Sequence, residues 1–287
     1  MSSYKILVLG SNGFIGKNIE EFLSEKEYIV LCPKRNDLDL LDTKKVYAFI
    51  DKHRPDIVIH TAVNINSLID NLRIYFNLER CSDNFGRMIT IGSGAEYDIK
   101  SYKPMMNEDY FLKNIPSDVY GLSKFIASRD IEKNPRNIIN FRVFGIFGKY
   151  EDYTRRFISN NICRAIGGLG ISMNKNMKFD FLDVNDFLKI LEMFFTKDLK
   201  HTNYNICTGK PVEFKEIANI INDLHEDGNG SIKVNESGLN PEYSGDNSRF
   251  IEEFGPFEFT TLKSSVEDLY KWYKESPDII KFCEKLN

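Results

Sequence analysis

Five cysteines, four histidines and one tryptophan in 287 residues leave little material for several common kinds of site. Cys32, Cys81, Cys163, Cys207 and Cys283 are scattered with no C-x-x-C pair, so neither a zinc site nor a disulfide framework is expected and no metal ligands are assigned. No apolar run approaches the roughly 18 residues of a membrane span, and no basic stretch leads into a long apolar core. A cytoplasmic chain with no membrane partner is expected. Positive charge is not in excess either: a net charge of -4 argues against nucleic acid as a partner, although a small anionic substrate needs only a few local cations. There is no internal repeat and no low-complexity tract. What remains, 42% hydrophobic and 28% charged, suits one large α/β domain or a domain with a smaller lobe.

The chain is organised around its start. Lys5 to Leu9 is a buried strand pattern, Gly10, Gly13 and Gly16 follow, and Phe14, Ile15, Ile19, Phe22 and Leu23 recur at helical spacing. This is a mononucleotide-binding βα unit: Gly10 makes the tight turn, Gly13 lets the backbone approach a pyrophosphate, and Gly16 lets helix and strand pack closely. Tyr28 to Cys32 reads as the second strand. Where an acidic residue would hold the ribose of NAD, the chain has Lys34 and Arg35, two cations suited to a 2'-phosphate, so NADP(H) is favoured and NAD(H) stays possible.

The β-α-β alternation continues through a helix at Thr43 to His53, a strand at Pro55 to His60, a helix from about Ser67 to Arg80 and a strand at Arg87 to Ser93. This predicts an α/β fold built on a doubly wound, Rossmann-type parallel sheet with a smaller C-terminal lobe. Ligands of such sheets sit beyond the carboxyl ends of the strands, which puts His60 to Ala62 and Ser93 on the cofactor face. A helix from about Val119, capped by Ser117-Asp118, carries Tyr120 and Lys124 at i and i+4, so both can face one ligand. The same spacing occurs at Tyr270 and Lys274; only the first pair lies between the Ser93 strand and another buried strand, Ile138 to Phe144.

In this order the glycine turn, His60-Thr-Ala62, Gly92-Ser93 with Tyr97, Tyr120 with Lys124, Arg142-Val-Phe-Gly-Ile-Phe-Gly148, Phe181 to Asp186 and Tyr204 to Gly209 resemble the extended short-chain dehydrogenase/reductases that act on nucleotide-activated sugars. Lys34 to Asp42 is most similar to the GDP-fucose synthase-like reductases. The resemblance implies a dinucleotide-binding domain at 1–148 and 178–208 and a substrate lobe at 149–177 and 209–287. It implies cofactor contacts from Gly10, Asn12, Gly13, Phe14, Ile15, Gly16, Lys34, Arg35, Asp39, Leu40, Thr61, Ala62, Tyr120 and Lys124. Substrate contacts would come from Ser93, Arg155, Arg156, Arg164 and Arg249; Arg164 matches a diphosphate-binding position best, while Arg155 and Arg156 equally fit a solvated face. It also implies a homodimer paired through the Tyr120 helix, to which Phe125, Ile126 and Ile131 would add apolar surface.

Tyr120 is the expected acid/base. Its phenol, ordinarily near pKa ~10, needs a nearby positive charge, which Lys124 and an oxidised nicotinamide would supply, and Ser93 would hydrogen-bond the reacting oxygen. Family dehydratases follow the serine position with an Asp-Glu pair; here Gly94 and Ala95 follow it, so dehydration is not expected. The cysteine used in GDP-fucose synthase for epimerisation is replaced by Ala95, no histidine lies between His60 and His201, and Cys163 and Tyr153 are the remaining substitutes in the lobe. The expected activity is NADPH-dependent reduction of a 4-keto nucleotide sugar, GDP-linked in pattern, without C3 or C5 epimerisation. An epimerase or epimerase-reductase is the alternative enzyme, and a non-catalytic dinucleotide sensor the alternative of another class.

Overall fold

The computed structural model describes residues 4–224 and 230–285, so the outermost residues of the expected 1–148 and 209–287 spans lie outside the described residues. The first half runs β1 (Lys5–Leu9), α1 (Phe14–Ser24), β2 (Ile29–Leu31), α2 (Thr43–His53), β3 (Ile57–His60), α3 (Leu68–Glu79), β4 (Arg87–Ile91), α4 (Val119–Lys133) and β5 (Ile138–Val143). Then come β6 (Gly145–Phe147), α5 (Phe157–Ile166), β7 (Ile171–Asn176), β8 (Lys178–Phe179), β9 (Phe181–Asp183), α6 (Val184–Met193) and β10 (Asn203–Ile206). The last stretch holds β11 (Val212–Glu213), α7 (Phe214–Asn222), β12 (Ile232–Leu239), α8 (Ser248–Phe254), α9 (Leu262–Glu275) and α10 (Pro277–Glu284).

Six strands form a parallel sheet in the order β10-β5-β4-β3-β1-β2. Its central strands are mostly apolar because both faces are covered, as parallel sheets require. Side-chain alternation divides each strand between two cores. Ile6, Val8, Ile57, Ile59, Ile89 and Ile91 pack with α1 and α6 on one face, and Leu7, Leu9, Val58 and Met88 pack with α2 and α3 on the other. The chain leaves β1 toward β2 and returns to β3 on the opposite side, which opens a crevice beyond the ends of β1 and β3.

A second core gathers α5, α7, α9 and α10 over β7, and β7 pairs in parallel with β12. The short pair β6-β9 contributes side chains to both cores, and β8 pairs with β11. β10 and α6 belong with the large sheet and its core.

The Tyr120 helix offers less outward apolar surface than the sequence suggests. Phe125 and Ile131 are only 4% and 2% exposed, Phe125 packed with Tyr97 and Phe111, Ile131 against the sheet face beside α3. They are core residues and not an interface; Ile126 alone of the three stays partly buried. The helical period fits either face, and the sheet's need for cover decides it.

Gly10 has φ +88°, and a Cβ there would lie 2.6 Å from the Ala62 nitrogen. Gly10→Ala therefore strains the turn and pushes β1 from β3. It is expected to lower unfolding stability by about 2 kcal/mol or more and to weaken dinucleotide binding at least tenfold, read by urea unfolding and calorimetry.

Candidate active site

The crevice at β1 and β3 is an open cleft of about 800 Å³ lined by Gly10, Asn12, Lys34, Arg35, Asp39, Leu40 and Ala62, among others. Thr61 fixes its floor by donating from Oγ1 to the Leu9 carbonyl at 2.8 Å. Helix α1 starts at Gly13 with no side-chain cap and no acidic residue in its first turn, whereas Asp42, Ser67 and Asp118 cap α2, α3 and α4. The amides of Phe14, Ile15 and Gly16 thus present the positive end of α1 to an anion. Gly16 admits no side chain, since a Cβ would meet the Gly10 carbonyl oxygen at 2.3 Å. Lys34 stands at the rim with Nζ 3.0 Å from Ser11 Oγ and 3.1 Å from Glu20. An uncapped helix end, a close glycine turn and a cleft with cations in its lining fit a dinucleotide.

Ser93, Tyr120 and Lys124 converge from two elements. Ser93 caps the short helical turn Gly94–Tyr97, its Oγ accepting from Ala95 N at 3.1 Å. That bond uses a lone pair only, so the cap leaves the Ser93 proton available for chemistry. Tyr120, in the first turn of α4, comes close enough to Ser93 for the serine to favour its ionised form. Burial raises the Tyr120 phenol above its ordinary value, opposed by Ser93 and by the charge of Arg156. Lys124 donates from Nζ to the Ile91 carbonyl at 2.6 Å and lies 5.9 Å from the Tyr120 ring centroid. Burial pushes Lys124 down to about 8, with Glu96 resisting. Lys124, the cation expected at the phenol, is turned to the Ile91 carbonyl, and Arg156, brought from the start of α5, acts on the phenol's charge.

Beneath these groups lies a buried ion pair that the reading of the sequence missed. Glu96 and Arg142 have side chains 0% exposed and are joined at 2.6 Å through Arg142 Nε. The Glu96 carboxylate also accepts from Ser93 N at 3.0 Å and from Asn140 Nδ2, while Arg142 donates to Ser128 Oγ at 2.7 Å and lies over the Phe111 ring. Two signals were legible: Ser93-Gly-Ala-Glu96 is a capping-box spacing, and an arginine inside an apolar strand requires an internal partner.

The four expected substrate arginines part company. Arg156 precedes α5 and acts on Tyr120. Arg155 is exposed and paired with Asp152, Arg164 Nε closes the turn after α5 on the Gly170 carbonyl at 2.8 Å, and Arg249 donates to the Asn203 carbonyl at 3.0 Å beside Glu108 and Asp109. Cys163 is buried in the second core with its thiol pushed upward, largely by burial; Tyr153 packs edgewise on Tyr273 and Phe282.

Fold and site together define a nicotinamide-dinucleotide enzyme built on a Rossmann sheet. Residues 6–207 match the NAD dependent epimerase/dehydratase family, and the chain belongs to that family, whose members use NAD or NADP. It is 27% identical over 252 residues to GDP-L-colitose synthase of Yersinia pseudotuberculosis, covering 76% of this chain and 80% of that one. It is 26% identical over a 298-residue alignment to GDP-6-deoxy-D-talose 4-dehydrogenase of Aggregatibacter actinomycetemcomitans, covering 93% and 97%. Its fold superposes with a TM-score of 0.79 on a GDP-mannoheptose C4 reductase from Campylobacter jejuni with NADP bound, at 18% identity over 96% of this chain and 99% of that one.

His60, at the end of β3, has no hydrogen-bond partner at Nδ1 among the described residues. Burial, aided by the charge of Lys124, pushes it from 6.5 down to about 3. The unfolded chain therefore takes up a proton that the folded chain refuses, and stability falls as pH drops from about 6.5 toward 3. His60→Asn is expected to flatten the acid side of the stability-pH curve by up to one proton, as measured by urea unfolding between those limits. Parallel curves would mean that His60 titrates normally.

Proposed function

We propose that the protein reduces the C4 keto group of a nucleotide-activated sugar, GDP-linked, with NADPH, and leaves C3 and C5 untouched. The observation that carries this reading is the pairing of Tyr120 with Ser93 in a site where Gly94 and Ala95 occupy the places that would carry dehydrating or epimerising groups. The names of the relatives support the sugar and its nucleotide: a GDP-sugar synthase, a GDP-sugar 4-dehydrogenase and a GDP-sugar C4 reductase.

Gly10, the α1 amides, Thr61, Ala62, Asp39, Leu40, Lys34 and Arg35 would hold the dinucleotide, and when bound it supplies a hydride to the carbonyl carbon. Tyr120 gives its proton to the carbonyl oxygen and becomes a phenolate. Ser93 donates a hydrogen bond to that oxygen as negative charge develops, a role for which preorganised donors are typically worth about 3 kcal/mol. Arg156 stabilises the phenolate by charge, and Lys124, directed by the Ile91 carbonyl, would add to this once its ammonium faces the bound dinucleotide. Epimerisation requires further acid/base groups beside the carbonyl; Cys163 and Tyr153 pack into the second core.

Two measurements test this reading. With Lys34 and Arg35 at the cleft rim, NADPH is expected to bind more tightly than NADH by calorimetry at fixed salt, and reversing both charges inverts the order. Incubation with NADPH and a panel of 4-keto nucleotide sugars in deuterated water is expected to give a C4 alcohol with no deuterium at C3 or C5 beyond an enzyme-free control. Exchange at either carbon would replace simple reduction by an epimerase-reductase.

A further inference from the structure

Tyr243 lies between β12 and α8, 150 residues beyond Ser93 in the chain, and nothing in its local pattern marks it. Its backbone is laid along β8 by bonds from Tyr243 N to the Lys178 carbonyl at 3.0 Å and from Asp180 N to the Tyr243 carbonyl at 2.9 Å. The ring is wedged among Tyr102, Phe144 and Phe179, with centroids 5.0, 5.1 and 4.7 Å away. That wedge sets the phenol oxygen over Gly94, where a Cβ would lie 2.5 Å from it. The Gly94 position thus does more than lack a dehydratase carboxylate: it makes room for a second phenol. The phenol stands at the Ser93–Gly94 turn beside Tyr102, with Ser93 and Tyr120 close enough to act on its ionisation.

A count of protons gives the arrangement a direction. Tyr102 spends its proton on the Gly94 carbonyl at 2.9 Å, so toward Tyr243 it can only accept. Ser93 Oγ already accepts from Ala95 N at 3.1 Å, which leaves it one lone pair and one proton. When that proton turns to a substrate oxygen, the remaining lone pair becomes an acceptor for the single proton of Tyr243, with the Tyr102 oxygen as the competing acceptor. A hydroxyl that accepts a hydrogen bond donates a stronger one.

We propose that Tyr243 is a positioning residue that acts through Ser93, donating to its Oγ and so aiming and strengthening the Ser93 proton at the oxygen being reduced. The inference rests on the reductase reading above. It makes the serine's hydrogen bond depend on a residue anchored outside the large sheet, along β8.

The test is a double-mutant cycle of Tyr243→Phe, which keeps the ring packing, and Ser93→Ala. Tyr243→Phe is expected to lower kcat about fivefold to tenfold, the worth of one neutral hydrogen bond, with KM for the sugar nucleotide changed less than about twofold. In the Ser93→Ala background it is expected to have no further effect. An unchanged kcat, or an equal fall in both backgrounds, overturns the proposal. A second readout needs no substrate: in protein labelled with 13C at tyrosine Cζ, Tyr243→Phe moves the Tyr120 resonance when Ser93 is present and not when it is alanine. A wild type that reduces no 4-keto sugar nucleotide would remove the reductase reading while this resonance still decides the coupling; an unmoved Tyr120 resonance with Ser93 in place overturns the coupling itself.

Discussion

The pair formed by Glu96 and Arg142 is the constraint on which the candidate site depends. Both side chains are sealed from water, and desolvating two charges costs several kcal/mol per ion unless every remaining donor and acceptor is satisfied. Here the demands are met by Ser93 N, Asn140 and Ser128 together with the Phe111 ring. The pair need not add net stability; removing one partner, however, would strand a buried charge at about 3–5 kcal/mol. That penalty enforces one geometry. Because Glu96 binds the amide of Ser93, the geometry it enforces includes the turn that presents the serine.

The same carboxylate reaches the other two residues electrostatically. It opposes the loss of charge on Lys124 and adds to the upward push on Tyr120, so one buried anion favours a protonated lysine and a protonated phenol. Arg156 works against it at the phenol. The ionisation of Tyr120 is thereby balanced between an anion carried by the turn after β4 and a cation carried by the start of α5. The dinucleotide crevice is set by a different rule, the reversal of strand order between β1 and β3, and the two features meet at the carboxyl edge of one sheet.

The family's common parts recur here with local differences that have physical consequences. Gly94 and Ala95 place no acid/base group directly after the serine, and Gly94 leaves space for an aromatic side chain from elsewhere. Arg164 and Arg249 look alike in sequence to substrate-binding cations, but each is drawn to a backbone carbonyl. A guanidinium buried near an unsatisfied carbonyl is more strongly held than one in solvent, so arginines of equal formal charge end in different roles.

Local pattern determined the elements, since backbone propensity, capping and periodicity act over a few residues. The spans of α2 and the start of α4 were legible to the residue, and the glycine turn, Tyr120 with Lys124, and Ser93 at a strand's end were all visible. Glu96 could have been read from its capping-box spacing with Ser93. Only the tertiary structure decided which face of α4 is covered, turning Phe125 and Ile131 inward, because the covering residues come from α3 and from the loop holding Phe111. It alone set Arg156 near Tyr120 and Tyr243 over Gly94, because those approaches depend on how the second core docks against the sheet. Sequence spacing carries contacts between neighbours along the chain; groups far apart in sequence meet only where packing and the pairing of buried charge bring them together.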